Sequence, residues 1–147
     1  MDAKEGGMQS ERHIVDSLSG LSLFADLTRP ELEMVAHTLD EEWFTEGQRI
    51  LRQGFTGNNF YVVLEGEAAI HVGGTPRTKL SRGDFFGEVS ILLGEPPTAD
   101  VVALTPLRCA VLPGGEIRAF LTDHPQVMFR VLQAEARRLA QTLQWLG

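Results

Sequence analysis

Apolar residues first fall into a helical rhythm at Ile14, Val15 and Leu18, a short amphipathic helix over Glu11–Leu18 that Gly20 ends. Leu21–Phe24 is an apolar connector. Thr28 then stands where an N-cap belongs, with Pro30 in the first turn and Glu31 three residues on. That is the signature of a capping box. It predicts a second helix to about Leu39, with Leu32, Val35, Ala36 and Leu39 on its inner stripe.

The rhythm changes at Asp40. Short runs of β-branched and aromatic residues now alternate with glycine turns. Strands are predicted at Glu42–Thr45, Gln48–Arg52, Phe60–Leu64, Ala68–Val72, Thr78–Leu80, Ala99–Leu104 and Arg108–Leu112. Gly47, Gly54, Gly57, Gly66, Gly73-Gly74 and Gly83 punctuate them. Such spacing belongs to a sandwich or roll. Within Phe60–Leu64, residues 60, 62 and 64 share one face.

Helix returns after Gly115. A short segment covers Glu116–Thr122, Asp123 or His124 ends it, and Pro125 suits the start of the next. There Met128, Leu132, Ala136, Leu139, Leu143 and Leu146 step by four, four, three, four and three. They form one apolar stripe, widened by Val127 and Val131. The expected organisation is a disordered tail at 1–10 and a single domain over 11–147. That domain divides into N-terminal helices (11–39), a β-roll (40–113) and C-terminal helices (114–147).

Composition narrows the function classes. The chain has 147 residues, enough for one domain with its own core. Its single cysteine, Cys109, excludes an internal disulfide and any cysteine-based zinc cluster, and its apolar setting reads as core. A net charge of −7 argues against a chain built to grip nucleic acid. Arg130, Arg137 and Arg138 read as a solvated helix face, too small a group for DNA. No stretch has a signal-peptide or membrane-spanning character, so a cytoplasmic location is expected. His13, His37, His71 and His124 never pair as H-x-H, so no metal site is expected. No nucleophile–base set, P-loop or dinucleotide fingerprint is present, so no catalysis and no cofactor is expected.

The segment Gly83–Val101, GDFFGEVSILLGEPPTADV, carries the candidate chemistry. It resembles the phosphate-binding cassette of the cyclic nucleotide-binding family, to which catabolite-activator transcription factors and regulatory subunits of cAMP-dependent protein kinase belong. Leu23-Phe24, the Gly47…Ile50…Gly54 spacing, Tyr61–Gly66 and Phe120-Leu121…His124-Pro125 agree with it, so the resemblance runs from Leu21 to the C-terminus. It implies a mainly β (α+β) fold: a double-stranded β-helix, or jelly-roll β-roll, flanked by N-terminal helices and a long C-terminal helix. It also implies a ligand, cAMP or cGMP, held by a short helix between two strands. Phe86, Gly87, Glu88, Val89 and Ser90 would form the cradle, with Glu88 on the ribose 2′-hydroxyl and Gly87 allowing close backbone approach. Pro97, Thr98 and Ala99 would stand at the phosphate, and Ala68 and Leu80 behind the purine, with ordinary core filling an equal reading for those two. Trp145 and Leu146 read as a cap on a bound base, as cover for a dimer seam or as a frayed helix end.

One position departs from the family. Pro97 stands where the phosphate-binding arginine belongs, and no lysine or arginine lies between Arg82 and Arg108. The same stretch holds Asp84, Glu88, Glu95 and Asp100. Proline also removes an N–H, so either Arg82 or another distant base supplies the counter-charge, or the pocket takes something less anionic or nothing. Glu88 then reads equally as a ribose ligand or a solvated loop carboxylate, and Thr98 retains a hydroxyl and an N–H for a phosphate. Two functions of different classes follow. One is a stand-alone sensory module with a degenerate phosphate site, signalling through a protein partner of unknown identity. The other is a ligand-free scaffold that forms a homodimer through the last helix. A fragment of a catabolite-activator-type regulator is a weaker third, since no DNA-binding domain follows that helix within these residues.

Overall fold

The computed structural model describes residues 14–55 and 58–146, excepting the side chains of Trp145 and Leu146. The expected tail at 1–10, the turn at Gly57 and the capping roles of Trp145 and Leu146 lie outside what it describes.

Helical backbone over 14–18 (α1) leads through a 3-10 turn, Ser22–Phe24, to α2 at Arg29–Thr38. The capping box is present: Thr28 accepts from the Glu31 N–H, and the Thr28 N–H donates to the Glu31 carboxylate at 3.0 Å. Eight strands follow: β1 Asp40–Phe44, β2 Arg49–Leu51, β3 Phe60–Glu65, β4 Ala68–Val72, β5 Thr75–Leu80, β6 Phe85–Phe86, β7 Asp100–Ala103 and β8 Leu107–Leu112. Helix α3, Glu88–Leu93, interrupts them between β6 and β7. A 3-10 turn at Gly114–Glu116, α4 at Ile117–Asp123 and α5 at Pro125–Leu146 close the chain.

The strands form two four-stranded antiparallel sheets, ordered β1-β8-β3-β6 and β2-β7-β4-β5. This is the jelly-roll fold, with helices at both ends of the chain. Strands β3 and β8 sit inside the first sheet and are buried on both faces. Phe60, Val62, Leu64, Ala110 and Leu112 face the helices, with Leu18, Val35, Phe120 and Val127 in the same core. Tyr61, Val63, Leu107, Cys109 and Val111 face the other sheet, packed with Leu51, Leu80 and Val101. A continuous apolar run such as Phe-Tyr-Val-Val-Leu is what a strand covered twice requires. Burial pushes the Cys109 thiol up to about 12, so it is a core residue with no reactive thiolate.

Three elements differ from the sequence reading. Strand β6 was not expected; it is a two-residue strand that pairs with Tyr61 and Val62, too short to show a period. Strand β5 begins at Thr75 rather than 78, because Pro76 is tolerated on a sheet edge. On α5 the faces are exchanged. The narrow row of Val127 and Val131 is buried, while Met128, Leu132, Leu139 and Leu143 lie exposed.

Candidate functional site

A cavity of about 720 Å³ opens between the second sheet, α3 and its following loop, and α5. Its floor comes from Leu51, Ile70, Leu80 and Val101. Phe86, Gly87, Glu88, Val89 and Ser90 line it from the β6–α3 junction, and Pro97, Thr98 and Ala99 from the return toward β7. So nine of the ten candidate residues surround one space. The exception is Ala68, fully buried opposite Leu80 in the β4–β5 ladder and away from the cavity.

The β6–α3 junction depends on Gly87. It caps α3 in the left-handed region, φ 92°, and a Cβ there would collide with the backbone carbonyl of Asn59. The close approach that needs a glycine is therefore to the chain just before β3. Ser90 is spent on structure: its hydroxyl donates to the Glu95 carbonyl at 2.5 Å and ties down the loop after α3. Asp84 accepts from the Ser81 N–H at 2.9 Å and Asp100 from the Gln53 N–H at 2.7 Å, and neither lines the cavity. Of the four acids in the segment, only Glu88 and Glu95 remain at the site. Pro97 is buried, its carbonyl accepting from the Gly54 N–H at 2.9 Å. Thr98 is exposed at the rim.

Glu88 is not a solvated loop carboxylate. It is 1% exposed, and Arg138 reaches down from α5 to donate to its Oε1 at 2.7 Å. The same guanidinium donates to Glu135 at 3.2 Å and to the Phe85 carbonyl at 2.8 Å, and it stacks over the Phe85 ring. Burial, then the Glu135 carboxyl beside it, push the Glu88 carboxyl up to about 8 against the opposing pull of Arg138. Glu88 Oε2 has no hydrogen-bond partner.

The reading of Arg130, Arg137 and Arg138 as one solvated face is therefore corrected. Arg138 is a cavity residue. Arg130 forks onto Asp26 at 2.7 and 3.0 Å and pins α5 to the loop after the first 3-10 turn, while Arg137 is exposed. Sequence reasoning missed Glu135 and Arg138. The signal was the row Val127, Val131, Glu135, Arg138, Thr142, which steps by four, four, three and four on the face opposite the leucines. Among the described residues, no group of three or more His, Cys, Asp and Glu side chains could hold a metal ion.

A two-sheet roll with a short helix inserted before β7, a buried glutamate at its start and a C-terminal helix over the cavity suggested comparison with known proteins. The cyclic nucleotide-binding domain model matches residues 41–124 of the 147. The chain belongs to the cyclic nucleotide-binding domain family. Among curated proteins, a cGMP-dependent protein kinase, egl-4, of Caenorhabditis briggsae is 34% identical over 106 residues, which are 68% of this chain and 14% of the kinase. Among solved structures, the regulatory domain of Toxoplasma gondii PKA, crystallised with cAMP, matches with a TM-score of 0.78 and 27% identity over 90% of this chain and 52% of that one. The Thermus thermophilus catabolite activator protein matches at 0.75 and 27%, over 84% and 61%. The chain thus spans a small part of the curated kinase and about half of the PKA structure.

Within this cyclic nucleotide-binding domain, α3 follows a left-handed Gly87 and starts at the buried Glu88. Pro97 occupies the place the sequence resemblance assigns to the phosphate's arginine. The two basic side chains at the cavity, Arg77 and Arg138, come from outside the cradle, from β5 and α5.

Proposed function

We propose that this chain is a non-catalytic regulatory sensor whose cavity takes a small ligand and whose α5 reports occupancy to a protein partner. In this reading cyclic nucleotides bind weakly, because the phosphate meets Pro97 and no buried cation, Arg77 standing exposed on the edge strand β5. The observation that carries the proposal is the grip of Arg138 on Glu88. One side chain joins the cradle to the helix over it, so a ligand that reorganises Glu88 shifts α5. Family membership and likeness to a cAMP-bound PKA domain support the ligand-site part. No helix among the described residues is long and apolar enough to cross a membrane.

The test is a titration with cAMP and cGMP while following Tm. Weak specific binding should give a saturable rise of about 1–4 °C at millimolar ligand. A Kd below micromolar would contradict the degenerate phosphate site. A flat Tm for every ligand tried would favour the second reading.

That second reading is a homodimer through α5, and a specific pattern favours it. Phe129, Ala136 and Leu143 are spaced by seven, as are Leu132 and Leu139 three residues further on. Together they make the a and d positions of a coiled-coil heptad, and all five are exposed. Monomeric proteins seldom leave such a strip uncovered. Leu139→Glu should shift the chain to monomer in sedimentation equilibrium, weakening association by about tenfold or more. An unchanged mass would count against this seam.

A further inference from the structure

Glu88 has an incomplete set of hydrogen bonds. Oε1 accepts from Arg138, while Oε2, buried at the cavity wall, has no partner. When protonated, Glu88 has the Glu135 carboxyl beside it as acceptor; when ionised, its Oε2 is left without a donor. A hydroxyl group satisfies either state, since it both donates and accepts.

The charges around the cavity point the same way. Glu88, Glu95 and Glu135 line it against two cations, Arg77 and Arg138. Arg138 is already committed to Glu88, Glu135 and the Phe85 carbonyl. Arg77 stands exposed on the edge strand β5. Helix α3 has six residues, too few for its N-terminus to hold an anion alone. A phosphate in the cradle would be desolvated without a counter-ion. An uncharged ligand avoids that penalty, and the floor of Leu51, Ile70, Leu80 and Val101 suits a flat apolar face. The 720 Å³ volume lies within the usual range for small-molecule sites.

Building on the reading of this cavity as the ligand site of a cyclic nucleotide-binding domain, we propose that its ligand is an uncharged nucleoside, with ribose hydroxyl on Glu88 and base against Ile70 and Leu80. The ribose hydroxyl is common to nucleoside and cyclic nucleotide; the nucleoside differs in bringing no negative charge into a cavity lined by Glu88, Glu95 and Glu135. Arg138 keeps Oε1, and the sugar takes Oε2.

The test is calorimetric titration of the whole chain at pH 7.5 with adenosine, guanosine, cAMP and cGMP. At least one nucleoside should bind about tenfold or more tighter than its cyclic phosphate, with little dependence on salt. Its 2′-deoxy form should lose about tenfold. Glu88→Gln should weaken the nucleoside by a similar factor, and Tm of the variant, read in parallel, separates lost contact from lost fold. Glu88→Asp, which shortens the reach and keeps the carboxylate, provides a second variant. If cAMP or cGMP binds as tightly as the nucleosides, the nucleoside inference is overturned and the ligand-site reading stands. If none of the four gives saturable heat or a Tm shift at millimolar concentration, both fall together.

Discussion

Replacing Pro97 by arginine should raise affinity for cAMP or cGMP by about 30- to several-thousand-fold, since a desolvated charge pair is worth about 2–5 kcal/mol. Pro97 is buried at the cavity wall, where the resemblance places the phosphate. The Gly54 N–H bonds the Pro97 carbonyl, which arginine retains, so the local chain path need not change. Two further signs should accompany the gain. Affinity should fall with added salt, as a new ion pair demands. The empty variant should melt a few degrees below the parent, because an unpaired guanidinium is costly to bury, and ligand should restore it. Uncharged nucleosides should gain nothing. Isothermal titration of parent and variant at two salt concentrations checks all of this. No gain for the cyclic phosphate would mean that the cradle has lost more than one charge.

Arg138→Met should destabilise the fold by about 3 kcal/mol at pH 8.5 and by less near pH 6. The substitution leaves Glu88 buried with neither oxygen paired and Glu135 still beside it. The pH dependence follows from the raised carboxyl. In the unfolded chain Glu88 sheds its proton near its ordinary value of 4.5, while the folded chain keeps it to about 8. Between those values the native state holds the extra proton. Stability contributed by that proton is full below about 4.5 and is lost as the pH rises through about 8. Without Arg138 the carboxyl loses the cation that favours its charge and keeps only a backbone hydrogen bond for it, so the decline extends to higher pH. Glu88→Gln should flatten this part of the profile in both backgrounds. Thermal melts of parent, Arg138→Met, Glu88→Gln and the double variant from pH 5 to 9 test it. Equal pH profiles for the parent and Glu88→Gln would show that Glu88 titrates normally.

Much of the roll was legible because its strands carry their own signals. Phe60–Leu64 alternates between two cores, and the run of five apolar residues shows both faces at once. The Thr28–Glu31 box marks the start of α2 through local chemistry alone. Strand β6 was hidden because two residues have no period, and its partner Tyr61-Val62 lies more than twenty positions earlier. The short helix after Gly87 was readable from GDFFGEVS, and the lack of any Lys or Arg between Arg82 and Arg108 from the sequence itself. Whether Glu88 is buried was not. That depends on α5, fifty residues away, folding back to set Arg138 against it. The leucine stripe misled for a related reason. Helical periodicity shows that two faces exist and leaves open which one meets the domain, and here Val127 and Val131 sufficed.

Arg138 and Leu139 are adjacent in sequence and look in different directions from the same helix. One is held by carboxylates in the cavity wall; the other belongs to the bare apolar strip. A helix is stiff over a single turn, so a tilt that loosens the first must also turn the second. Under the proposed function, a ligand in the pocket and a partner on the strip would share one lever, and any coupling between them would be reciprocal.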